Sequence, residues 1–227
     1  MQVSDSFRNE VMQKQCADRR IVTRANLPLY SHAEHLMSMP ALAQRRWTPD
    51  ELRQFIESHP EPVPRYELVH GELLVTPSPT SLHQRLVFEI AMRLHAYVKQ
   101  RDLGEVRISP SDLRPIPDAL LQPDLYVIPA IDGRRAPLED PVTRVLIAVE
   151  VVSPSSARFD RVIKRRLYQD MGVAEYWLVD SDAQTVERWR PGDARPEILD
   201  REIVWQPQHA AEPFTLDIHA LFHEVLD

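Results

Sequence analysis

Apolar positions recur at helical spacing between Ser81 and Arg101, where Leu82, Leu86, Ile90 and Leu94 form a stripe that Val87, Ala91 and Val98 widen. The spacing predicts a long helix closed near Gly104. Alternation takes over elsewhere. Arg65 to Val75 reads as two short strands around His70-Gly71, with Tyr66, Leu68 and then Leu73, Val75 alternating. Further strands are predicted at Glu105 to Ile108, Pro123 to Ile128, Arg144 to Val152, Tyr176 to Asp180, Thr185 to Arg190 and Glu202 to Trp205. Thr48-Pro49-Asp50-Glu51 supplies an N-cap, a proline at the first helical position and acids in the first turn, so a helix runs from there to about Ser58. Pro60, Pro62 and Pro64 then break it. A helix from about Arg158 to Met171 ends at Gly172, and Asp217 to Val225 reads as a terminal helix. Helix, hairpin, helix, strands, helix, strands is the order of an α/β (α+β-like) fold, a mixed central β-sheet flanked by helices, not of a regular βαβ array.

The first 46 residues show neither period and carry four of the six methionines. They are expected to be a poorly ordered N-terminal extension, with a short helix near Phe7 to Cys16 as the alternative, and residues 47–227 to be one domain. At 227 residues the chain is long enough for one core with an appended segment. No run approaches the roughly 18 apolar residues that would span a bilayer, and Met1 to Phe7 lacks the start of a signal peptide. The single Cys16 excludes an internal disulfide and a multi-cysteine zinc site. A cytoplasmic protein without a membrane partner is the expectation. The net charge of −7 is unevenly spread: residues 1–46 hold seven basic and four acidic side chains, leaving 20 against 30 in the remainder. An acidic body argues against general coating of DNA unless basic groups cluster or cations offset the acids.

Val145-Leu146-Ile147-Ala148-Val149-Glu150-Val151-Val152 is apolar on both faces, as in a central strand covered on two sides, and only Glu150 breaks it. A carboxylate removed from water must be protonated, paired or metal-bound. The other reading solvates it at the strand's wet end beside Ser153-Pro154-Ser155. Asp124, after Pro123, precedes the apolar run Leu125 to Ile128. Pro123 points to an edge or a bulge there, and an acid after proline is also a common turn residue. If the two strands are neighbours, Asp124 and Glu150 share a side and make the hard, oxygen-rich site that Mg²⁺ or Mn²⁺ prefers. Asp160, Lys164, Tyr168 and Met171 share one face of the following helix, so Lys164 can reach the acids or form an ordinary exposed pair with Asp160. Glu72 in the hairpin and His83 on the long helix are further candidates, although a lone histidine such as His83 is more often a satisfied core or helix-start residue than a ligand. Trp177, Trp189 and Trp205 suit the core or the interface of a homodimer.

Pro123-Asp124, Glu150-Val151-Val152-Ser153-Pro154-Ser155, Asp160, Lys164, Tyr168 and Gly172-Val173-Ala174-Glu175-Tyr176-Trp177-Leu178-Val179-Asp180 together resemble the Uma2 family of the PD-(D/E)xK nuclease superfamily. The likeness spans about Trp47 to Leu226 and includes Tyr66-Glu67-Leu68-Val69-His70-Gly71-Glu72. It implies a restriction-endonuclease-like core, with Asp124 and Glu150 as metal ligands for Mg²⁺ or Mn²⁺, Glu72 as an added acid and His83 lining the site. The superfamily's lysine two residues after the strand glutamate is Val152 here, so Lys164 would supply the ammonium. The implied chemistry is hydrolysis of DNA phosphodiesters. The alternative is a catalytically inactive nuclease-fold module that binds nucleic acid or protein. A phosphatase or glycosidase is less favoured, because the chain has no glycine-rich phosphate loop, nucleophile elbow or HExxH motif.

Overall fold

Thr48 and Glu51 set the start of the first helix. The Glu51 amide donates to Thr48 Oγ1 at 3.2 Å and the Thr48 amide to Glu51 Oε2 at 2.8 Å, a reciprocal capping box that satisfies two otherwise orphaned donors. Pro49 then opens helix α1 (Pro49–Ser58). The computed structural model describes residues 45–227 apart from 59–64, 77, 115, 132, 135–141, 143, 155 and 209. The expected extension of residues 1–46, and with it the helix considered near Phe7 to Cys16, lies outside the described residues except for Arg45 and Arg46.

Strands β1 (Arg65–Val69) and β2 (Glu72–Thr76) pair antiparallel across His70 and Gly71, which hold φ of 48° and 78°. Two positive φ values in a two-residue turn match the twist of the flanking strands. Helix α2 (Ser81–Gln100) begins at Thr80, whose hydroxyl accepts from the His83 amide. Gly104 does not close this helix, as its sequence position suggested. It opens β3 (Gly104–Ile108), where a Cβ would stand 1.9 Å from the Ile128 carbonyl oxygen. Glycine is needed there for β3 to lie against β4 (Leu125–Pro129).

With β5 (Ile147–Val152), β6 (Glu175–Asp180), β7 (Thr185–Trp189) and β8 (Glu197–Leu199) these strands form one six-stranded sheet in the order β3-β4-β5-β6-β7-β8. Only β5 and β6 run parallel, and a parallel pair needs a crossover. Helix α3 provides it in three consecutive stretches, Ala157–Phe159, Asp160–Lys164 and Arg165–Asp170, the middle one π-helical. A separate hairpin, β9 (Glu202–Trp205) with β10 (Phe214–Asp217), leads into helix α4 (Ile218–Leu226). The mixed sheet with flanking helices is the predicted fold class. Strands β8 and β10 were not predicted. Pro123 lies two residues ahead of β4, so β4 is an interior strand rather than the edge or bulge the proline suggested.

Alternation along the central strands divides the core in two. Val127, Ile147, Val149, Val151 and Trp177 pack with residues of α2, α4 and the β9–β10 hairpin. Tyr126, Ala148, Tyr176 and Leu178 pack with residues of α3. Position 150 shares the parity of Ala148, so its carboxylate belongs to the α3 face. Trp177, Trp189 and Trp205 are all buried within the domain, where they anchor these clusters.

Candidate active site

The register of β4 and β5 brings two carboxylates together. Leu125 stands opposite Val149 in this antiparallel pair, so one step further Asp124 stands opposite Glu150. Asp124 is fixed by its own backbone neighbours, because Oδ2 accepts the Val151 amide at 2.8 Å. Oδ1 meets Arg65 Nη1 at 3.0 Å. His83 Nε2 lies 3.1 Å from the same oxygen, although without the alignment of a hydrogen bond.

Lys164 reaches the pair from above. Its Nζ lies 2.8 Å from Glu150 Oε1, 2.9 Å from Glu67 Oε2 and 3.6 Å from Asp160 Oδ1. Tyr168, one turn on, donates its hydroxyl to Glu150 Oε1 at 3.1 Å. The other oxygen of Glu67 accepts the Gln122 amide at 2.8 Å, so Glu67 ties β1, the approach to Asp124 and α3 to one another. Glu67, Asp124, Glu150, Asp160 and Lys164 are each only 2–3% exposed. The exposed Asp160–Lys164 pair that spacing alone allowed is therefore a buried one.

Four acids thus face two firmly cationic side chains, Arg65 and Lys164. Burial pushes Glu150 well above the usual carboxylate range; Lys164 opposes that shift, and Asp124, Asp160 and Glu67 reinforce it. Asp160 is raised for the same first reason, against the pull of Lys164. Asp124 differs. Burial would raise it too, but His83, Arg65 and the Val151 amide hold it down to about 2. Burial lowers Lys164, yet Glu150, Glu67 and Asp160 outweigh burial and keep it above its ordinary value. The Glu150–Asp124 pair therefore carries a proton-binding and a proton-releasing member within one site.

A cavity of about 520 Å³ opens onto Arg65, Glu67, His83, Asp124, Glu150 and Lys164. The structure brings together Asp124, Glu150, Lys164 and His83. It does not bring Glu72, which is exposed at the start of β2 opposite Val69 and outside the cavity. Alternation does not separate the two acids, since Glu72 pairs with Val69 and so shares a face with Glu67; Glu72 instead stands at the turn end of the hairpin, exposed and beyond the reach of the cavity. Glu67 was legible by the logic that singled out Glu150, as an acid followed at once by buried Leu68 and Val69. Arg65, beside it, carried no such signal. Among the described residues no three His, Cys, Asp or Glu side chains are arranged to hold a metal ion; the acids face Arg65, Lys164, Tyr168 and backbone amides instead.

A six-stranded mixed sheet flanked by helices, with two carboxylates at neighbouring register positions and an ammonium from the crossover helix, defines an α/β protein with a buried, charged site. The fold is similar to that of a crystal structure from Anabaena variabilis described as "a putative nuclease", at a TM-score of 0.65 and 22% identity over 79% of this chain and 99% of that one. Residues 49–219 match the family "Uma2: Putative restriction endonuclease". The chain belongs to the Uma2 family. No curated protein matches it. No helix among the described residues is long and apolar enough to cross a membrane.

Proposed function

We propose that this chain is a metal-dependent endonuclease that hydrolyses phosphodiester bonds of DNA, with Mg²⁺ or Mn²⁺ held by Asp124 and Glu150. One observation carries the reading: two carboxylates on adjacent strands open into the same cavity, and the site as a whole has four buried acids against two fixed cations. The donor set suits the ion. Carboxylate oxygens are hard ligands of the kind Mg²⁺ and Mn²⁺ select, and a divalent cation would offset the burial that disfavours the charged form of Glu150. When bound, the cation would activate a water and neutralise charge developing on the phosphoryl group.

The chain's own residues have separate tasks. Lys164 brings a permanent positive charge to the cavity, anchored by Glu67 and Asp160 so that its long side chain has little freedom to lose. Tyr168 restrains Glu150 through its hydroxyl. Glu67 holds both Lys164 and the Gln122 backbone, two residues ahead of Asp124. The acidic body favours a local over an extended contact with DNA.

The test is cleavage of single- and double-stranded DNA with Mg²⁺ or Mn²⁺ present, by the wild type, Asp124→Ala and Glu150→Ala. Both variants are expected to lose cleavage while keeping their circular dichroism. Equal activity in all three would sink the proposal. Retention of DNA without cutting by the wild type would support the binding-module alternative, which Val152 in place of the superfamily's lysine and the acidic surface favour.

A further inference from the structure

Both carboxylate oxygens of Asp124 are engaged. Oδ2 is committed to the Val151 amide, and Oδ1 is where Arg65 Nη1 now sits at 3.0 Å. A guanidinium and a divalent cation repel each other at such a distance in a buried site, so the two compete for Oδ1. We infer that Arg65 is a stand-in for the cation, which displaces it from Asp124 on entry and frees its guanidinium for a phosphate oxygen of the substrate. The inference rests on the metal-dependent reading of this site.

The surroundings of Arg65 fit both roles. It lines the cavity itself, so a small displacement leaves it facing the substrate space. Its Nη1 also donates to the Gln122 carbonyl at 3.1 Å, which keeps it tethered. Nε and Nη2 make no hydrogen bond among the described residues, leaving a planar fork of the kind that matches phosphate. While the cation is away, Arg65 shields a carboxylate that would otherwise be buried with one oxygen unpaired, a costly state. His83, on the same oxygen at 3.1 Å, lacks hydrogen-bond alignment and cannot substitute fully for it.

The two roles give opposite signs in one variant. Mn²⁺ is titrated calorimetrically into the full-length wild type, Arg65→Gln and Arg65→Lys, and cleavage of a labelled DNA duplex is measured for each. Arg65→Gln is expected to bind Mn²⁺ roughly five- to tenfold more tightly, since a competitor and a like charge are both gone. Its cleavage at saturating Mn²⁺ should fall on the order of a hundredfold, mostly in kcat. Arg65→Lys keeps the charge without the fork; it should hold Mn²⁺ affinity within about twofold and cleave about tenfold more slowly. A residue that merely supports Asp124 would weaken metal binding when removed, so weaker or unchanged Mn²⁺ binding by folded Arg65→Gln overturns the inference. So does wild-type cleavage by Arg65→Lys, which covers the case in which Arg65→Gln does not fold. If the wild type cuts no DNA yet Arg65→Gln binds Mn²⁺ more tightly, the displacement stands and the nuclease reading is what fails.

Discussion

Replacing Lys164 by methionine removes the ammonium that Glu67, Glu150 and Asp160 share at 2.9, 2.8 and 3.6 Å. Methionine is unbranched and adaptable, so it fills most of the space and the loss is electrostatic rather than a cavity. Deleting one member of a buried ion pair leaves an uncompensated charge and costs about 3–5 kcal/mol, a large part of a typical stability of about 5–15 kcal/mol. Protonation limits the damage. Glu150 and Asp160 already sit above the ordinary carboxylate range because burial disfavours their charged forms, and without the ammonium they must rise further. Native variant then holds protons that the unfolded chain releases above its ordinary carboxyl value of 4.5. The variant therefore loses stability, relative to wild type, as pH climbs from there towards neutrality. Lys164 in the wild type adds no slope of its own in this window: its pKa is raised in the fold, so it is charged in both states and its contribution is fully present. Urea unfolding in metal-free buffer, followed by the emission of buried Trp177, Trp189 and Trp205, checks this. The expected cost is about 1–2 kcal/mol near pH 5 and about 3–5 kcal/mol near pH 8. Adding Glu150→Gln should recover part of it, because the two groups interact directly. A cost below about 1 kcal/mol at both pH values, the size expected of a solvated pair, would refute the burial reasoning.

Gly104→Ala tests the β3–β4 contact: its Cβ would meet the Ile128 carbonyl oxygen at 1.9 Å, so the melting temperature should drop by more than about 6 °C, corresponding to roughly 2 kcal/mol or more, and an unchanged melting point would show that β3 does not need this approach. Asp124→Asn tests the depressed carboxyl. A group held down to about 2 in the fold, against an ordinary 3.8, contributes stability above the higher value that is lost as pH falls through the lower one. Metal-free wild type should therefore lose about 2 kcal/mol more than Asp124→Asn between about pH 4 and pH 2; parallel acid titrations of the two would show that Arg65 and the Val151 amide do not hold the charged form.

Periodicity made most of the fold legible. The capping box at Thr48, the His70-Gly71 turn, the stripe of α2 and the doubly apolar run of β5 each combine a local signal with the burial it predicts, and each lies where the spacing put it. What escaped has a physical reason. β8 is a three-residue edge strand, two of whose residues are exposed, too short to show an alternating pattern. β10 alternates buried Phe214 and Leu216 but runs directly into α4 through Asp217, which ends the strand and caps the helix, and the helical signal masks it. In the site, Glu150 was visible as a charge interrupting an apolar strand and Asp124 as the charge just ahead of one. Arg65 was not, since an arginine at a strand start is ordinary until its partner across 59 residues is known.

The position of the ammonium shows most clearly what a sequence conceals. Val152 fills the place two residues after Glu150, and Lys164 reaches Glu150 only because Asp160, Lys164 and Tyr168 all point inward. In a regular α-helix side chains four residues apart rotate by about 40° at each step, so three of them drift off a single line. The Arg165 amide bonds to the Asp160 carbonyl, five residues back, and this wider turn takes up part of the drift. An apolar pattern read at 3.6 residues per turn cannot register one such widened turn, because the surrounding stripe is nearly the same with or without it. Yet it aligns the acid that anchors the lysine, the lysine itself and the tyrosine that holds its partner. Bringing the Lys164 ammonium to Glu150 therefore depends on a local change in helical pitch as much as on the residue at position 164.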